Sequence, residues 1–187
     1  MKAVLLEVPA AIRDVMKERE RLGLDHHDEM WEGVLHMVPP AAEGHQRTGG
    51  RLIAVLLPAA DAAGLRLTYE TGLYRANKDY RVPDLIAYRP EVATHRGVEG
   101  PPELVVEIRS PGDESYEKLG WYFALGTRQV CIIERDTLDV ELHEAEGRVA
   151  PDSEGWLTLS GLGVRVRSVL DGLEVDAPGG LVLIHRP

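Results

Sequence analysis

The stretch Leu104-Val105-Val106-Glu107-Ile108, followed by Arg109-Ser110-Pro111, decides how the rest of the chain is read. An almost continuous apolar run of this kind predicts a strand buried on both faces at the centre of a sheet. Glu107 interrupts it. A carboxylate in a buried strand must be neutralised, paired or bound to a cation, because uncompensated burial costs several kcal/mol. Glu107 and Arg109 are two positions apart, so in an extended strand they face the same side.

Working outward, Val82-Pro83-Asp84-Leu85-Ile86-Ala87-Tyr88 reads as a second apolar strand with Asp84 at its head. Leu65 to Glu70 is a short strand, and Val34 to Val38 is another, stopped by Pro39-Pro40. Gln129–Glu134 and Asp139–His143 form a hairpin pattern, the second arm alternating Val140 and Leu142 with polar residues. A helix is expected from Asp113 to Leu125, with Leu119, Tyr122 and Phe123 as its apolar stripe and Gly126 as its stop. Another is expected from His45 to Ala63, where Leu52, Leu56, Ala59 and Ala60 follow helical spacing and Gly64 ends it. Pro58 inside that helix predicts a kink or a restart. Pro9 to Leu22 is a charged, probable-helix pattern with alternating signs, and Trp156–Leu159 with Val164–Val166 suggest short edge strands. The class is α/β: a central mixed sheet flanked by the helices around 45–63 and 113–125. One domain is expected over 1–187. Its core lies at about 30–145, between a charged helical segment at 1–29 and short strands at 146–187.

The 187 residues are 44% apolar and 28% charged, enough to bury a core without staples. Lys and Arg total 21 against 31 Asp and Glu, a formal net charge of -10. That excess argues against broad, non-specific clamping of nucleic acid, which needs a basic face. The single cysteine, Cys131, lies in an apolar run and has no partner for a disulfide, which fits a reducing, cytoplasmic setting. No signal h-region and no membrane-spanning run is evident.

Asp84 and Glu107 on neighbouring strands would converge on one divalent ion, and hard oxygen ligands favour Mg²⁺ or Mn²⁺ over Zn²⁺. Lys118 follows in the next helix, leaning back toward the end of the Glu107 strand, where it would orient a water and offset developing charge. Structural roles stand beside these: Asp84 as a strand cap or partner of Arg81, Glu107 as the ion-pair partner of Arg109 or Lys118. His26, His27, His36 and His45 lack zinc-site spacing. Trp31, Trp121 and Trp156 are scattered packing residues, and Gly49-Gly50 and Gly179-Gly180 lack a phosphate-loop context.

At these residues the chain resembles a known family. Val82-Pro83-Asp84-Leu85, Pro102 to Pro111 and Tyr116-Glu117-Lys118-Leu119 are similar to the Uma-type family of putative restriction endonucleases, within the PD-(D/E)XK nuclease superfamily. Trp121 to Val130, and Val38-Pro39-Pro40 through His45-Gln46, resemble it as well. The resemblance covers about residues 30–145. It implies an α/β restriction-endonuclease-like core, a metal pair at Asp84 and Glu107 and hydrolysis of DNA phosphodiester bonds by a homodimer. Arg109 stands at the third motif position, where lysine is usual, and Lys118 matches a lysine moved to the following helix. His45 and Glu70 are second-tier candidates for orienting a water. Two other readings stay open: a catalytically silent dimeric module that binds DNA or protein, and a hydrolase of a smaller phosphoester. DNA cleavage makes one spatial demand, that Arg75, Lys78, Arg81, Arg89, Arg96, Arg109 and Lys118 gather on the side of the metal pair.

Overall fold

The apolar run at 104–109 lies inside a sheet, with a strand on either side. The computed structural model describes residues 10–187. In chain order its elements are α1 (Ala10–Leu22), β1 (Glu29–Trp31), β2 (Val34–His36), α2 (Glu43–Ala62), β3 (Arg66–Tyr69), β4 (Leu73–Ala76), β5 (Asp79–Arg81) and β6 (Leu85–Tyr88). There follow β7 (Ala93–Thr94), β8 (Gly97–Val98), β9 (Leu104–Arg109), α3 (Ser115–Ala124), β10 (Gln129–Glu134), β11 (Val140–Glu144) and β12 (Gly147–Arg148). The chain ends in β13 (Leu157–Leu159), β14 (Val164–Val169), β15 (Gly172–Ala177) and β16 (Gly180–His185).

The central sheet has the order β12-β11-β10-β9-β6-β3. β9 and β10 are parallel, as the α3 crossover between them requires, and the remaining pairs are antiparallel. The result is a mixed α/β architecture with α2 and α3 on opposite faces of this sheet. On one face Leu85, Leu104, Val106, Ile108, Cys131 and Ile133 pack against Leu52, Leu56, Ala59 and Ala60 of α2 and against the inner face of the C-terminal sheet. On the other, Ile86, Val105, Val130 and Ile132 meet Trp121 and Tyr122 of α3, with Leu73 and Val98 of a smaller sheet. That smaller sheet has the order β2-β1-β5-β4-β8-β7.

Two expectations need correction. Pro58 does not restart its helix, since α2 runs unbroken from Glu43 to Ala62. Pro58 and Ala54, whose carbonyl loses its partner there, are both exposed, so water can take up the freed group while the buried face holds the helix together. Of the two C-terminal segments expected as short edge strands, β13 is one, whereas β14 has six residues and lies inside its sheet. The C-terminal strands form their own four-stranded antiparallel sheet, β13-β14-β15-β16, whose Leu159, Val164, Leu173 and Ile184 enter the same core as α2. Among the described residues no helix is long and apolar enough to cross a membrane.

Candidate active site

β6 and β9 pair with Leu85 opposite Val106, so Asp84, the bend residue just before β6, enters the sheet at the Glu107 end of β9. Asp84 sits where the chain enters β6. Its Oδ2 accepts the Ile108 N–H at 2.6 Å, and its Oδ1 meets His45 Nε2 at 2.8 Å. His45 reaches it from the first turn of α2. Burial would lower the imidazole pKa, but the hydrogen bond and charge of Asp84, with Glu70 and Glu107 adding, shift it upward.

Glu107 is 4% exposed. Alternation along β9 turns it with Val105 toward α3, where Lys118 Nζ lies 3.3 Å from its Oε1 and the Tyr122 hydroxyl donates to the same oxygen. Lys118 has a second partner, Glu29 Oε1, at 2.8 Å. Glu29 also accepts the Val82 N–H at 2.9 Å and the Trp31 indole N–H at 2.6 Å. One buried carboxylate in β1 thereby ties α3 to the segment that leads into Asp84. Burial pushes the Glu107 carboxyl up to about 8; Lys118 opposes this, while the charges of Asp84 and Glu29 add to it. For Lys118 burial acts downward, yet Glu107 and Glu29 outweigh it and hold the ammonium above the usual lysine range. A lysine so placed stays cationic at neutral pH. It can donate hydrogen bonds and offset negative charge, but it cannot serve as a base.

The structure thus brings Asp84, Glu107, Lys118 and His45 together. Arg109 lies outside: its Nη1 pairs with Glu134 at 2.6 Å, its Nε is 3.9 Å from Asp113, and its guanidinium lies over the Tyr116 ring. Glu70 is at the margin. Its N–H donates to the Asp84 carbonyl at 2.9 Å, while its side chain accepts from Gln46 at 2.8 Å. Its φ of 48° is left-handed, a conformation that costs a non-glycine residue energy and that concentrates at functional sites. Close by, a Cβ on Gly49 would stand 2.7 Å from the Tyr69 ring, so only glycine lets α2 approach β3 here.

Glu29 and Tyr122 are the members that sequence reasoning missed. Tyr122 was visible as a buried stripe residue, and a buried tyrosine hydroxyl needs a partner. Glu29 carries no local signal, since it lies among Asp25, Asp28 and Glu32 in a three-residue strand.

Most of the central basic residues are paired with carboxylates outside the cluster. Arg75 pairs with Asp79 and Glu32, Arg81 with Asp79, Arg89 with Glu103 and Arg96 with Glu99. Of the seven, Lys118 alone forms a salt bridge with a carboxylate of the cluster. Arg81 is instead held between Trp31 and Trp121, 4.4 and 4.6 Å from the ring centres, so two of the scattered tryptophans do meet, as packing around a buried cation. Among the described residues no three His, Cys, Asp or Glu side chains are gathered as a metal nest, the four histidines included.

No curated protein matches the chain. Among solved structures, it is similar to a putative nuclease belonging to DUF820 from Anabaena variabilis, with a TM-score of 0.61 and 15% identity over 73% of this chain and 83% of that one. At that identity the likeness establishes the fold alone. The family model that matches, over residues 17–171, is Uma2, described as putative restriction endonuclease, and the chain belongs to that family.

Proposed function

We propose that the protein is a Mg²⁺- or Mn²⁺-dependent endonuclease that hydrolyses DNA phosphodiester bonds, with Asp84 and Glu107 as the metal-holding pair. The observation that carries this reading is that the Asp84 carboxylate accepts the N–H of Ile108, the residue next to Glu107, at 2.6 Å, with Lys118 Nζ 3.3 Å from Glu107. The residues fit such an ion. Mg²⁺ is commonly held by one or two carboxylates and otherwise keeps its waters, so a pair suffices where a cage of three is missing. The hydrogen bonds to Glu107 fall on Oε1, so its second oxygen carries none of them. A carboxyl raised by burial and by like-charged neighbours is also one that a cation would relieve. When bound, the ion supplies Lewis-acid stabilisation of charge at a phosphoryl oxygen.

The chain's own residues divide the remaining work. Lys118 directs N–H donors and a fixed positive charge at negative charge gathering on the phosphoryl group. Glu29 holds Lys118 in place, and His45 with the Ile108 N–H fixes the Asp84 carboxylate so that no reorganisation is needed during reaction. Cutting both strands of a duplex calls for two such sites, hence a homodimer.

One observation favours a second reading. Arg75, Arg81, Arg89, Arg96 and Arg109 are already paired with carboxylates, and a smaller phosphoester would need no basic track. The test is nicking of supercoiled plasmid beside hydrolysis of bis(p-nitrophenyl) phosphate, each with and without Mg²⁺ or Mn²⁺. Metal-dependent nicking that disappears in folded Asp84→Ala and Glu107→Ala proteins supports the endonuclease. Hydrolysis of the small diester alone supports the second reading, and neither activity in a folded protein contradicts both.

A further inference from the structure

Every sheet edge among the described residues is short except one. β7 and β12 have two residues, β2 and β13 have three, and β3 has four. β16 has six, Gly180-Leu181-Val182-Leu183-Ile184-His185, with no Asp, Glu, Lys, Arg or Pro among them. An edge strand offers a row of backbone N–H and C=O groups to any extended partner, and long edges are usually blunted by lysine, proline or a bulge. Here the central residues are apolar and bare: Leu181 is 60% exposed, Val182 38% and Leu183 36%, with Leu170 in the neighbouring turn at 85%.

The charges around this edge cancel. On the outer face Leu181 lies beside Asp176 and Leu183 beside Glu174, and those acids lie beside Arg165 and Arg167 in turn. The two ion pairs close at 2.6 and 2.7 Å. A chain of net charge -10 repels its own copies over most of its surface, and this neutral strip is a place where that repulsion fades. The sequence is also self-complementary. A two-fold axis normal to the sheet sets residues of like facing against each other, and centred on Val182 it puts Leu181 of each copy against Leu183 of the other.

We propose that β16 pairs antiparallel with β16 of a second copy, joining two four-stranded C-terminal sheets into one continuous sheet with its two-fold axis at Val182. Strand addition of this kind takes its affinity from main-chain hydrogen bonds and its register from the side-chain pairs. The interface is at the small end of the range, below about 1,200 Å², so association follows concentration. It stands independently of the nuclease reading, and its test reads mass rather than activity.

Light scattering on the full chain is expected to show a mass rising with concentration toward twice the 20.7 kDa of one chain. Leu181→Lys with Leu183→Lys should halve that mass while leaving the far-ultraviolet circular dichroism of the folded chain unchanged, because both residues lie on the outer face of the sheet. In Val182→Cys a short thiol–thiol cross-linker should give a covalent dimer. Cys131 does not compete, being buried with its thiol pushed up to about 12. A wild-type mass that stays at one chain up to the solubility limit overturns the proposal. So does a double-lysine variant that dimerises like wild type, or a Val182→Cys protein that yields no covalent dimer.

Discussion

β9 supplies both faces of the central sheet, and the two could hardly differ more. Toward α2 and the C-terminal sheet it presents Leu104, Val106 and Ile108 to an aliphatic core. Toward α3 it presents Val105 and then Glu107, which meets Lys118, Tyr122 and, through Lys118, Glu29. Both faces are buried, yet only one is built as stability alone would have it. A well-packed apolar set of similar volume usually holds a fold as well as a buried ion pair or better, whereas removing one partner of such a pair is costly. The charged face is therefore where the proposed function is sought, and membership of a family described as putative restriction endonuclease is what points that proposal to phosphodiester chemistry.

The comparison can be broken most severely at the carboxylates. Asp84→Ala or Glu107→Gln should abolish metal-dependent nicking, while Ile133→Ala on the opposite face should leave the activity of the folded protein intact. Next in size is the cost of orphaning charge. Lys118→Met leaves Glu107 and Glu29 buried without their cation and should lower the urea-unfolding free energy by about 3–5 kcal/mol. Adding Glu107→Leu to that variant should recover part of the loss. Ile133→Ala should cost about 2–5 kcal/mol through the cavity it leaves. Mg²⁺ separates the two faces again: at about a hundred times its Kd it should stabilise wild type and Ile133→Ala by about 2.7 kcal/mol, and Asp84→Asn not at all. The smallest effect concerns His45. Its folded pKa is raised, so its contribution is fully present below its ordinary value near 6.5 and is lost as pH climbs through the raised one. Unfolding curves at about pH 6 and about pH 8 should show that loss in wild type, and His45→Gln should remove it.

Much of this contrast was legible in the sequence, for identifiable reasons. Glu107 stood out as one acid in a strand otherwise apolar, and α3 followed from a stripe and a stop signal, which placed Lys118 on the helix that faces Glu107. Asp84 was marked by its position at the head of a strand. Arg109 shows the limit of periodicity. It does share the side of Glu107, but two residues of strand carry it past the cluster to Glu134. Glu29 was invisible because its partners, Lys118 and Val82, are 89 and 53 positions away and a three-residue strand leaves no pattern. The C-terminal sheet was misjudged because Arg165, Arg167, Glu174 and Asp176 give its outer face the look of an exposed margin, while Val164, Val166, Leu173 and Val175 close the core behind them.

The central claim, that Asp84 and Glu107 hold one divalent cation between them, is tested most directly by anomalous diffraction from crystals soaked in Mn²⁺. The account predicts a single strong peak within coordination distance of both carboxylates, absent from Asp84→Asn crystals. Density showing no ion there, with Lys118 still paired to Glu107 and Glu29 at saturating Mn²⁺, would contradict it.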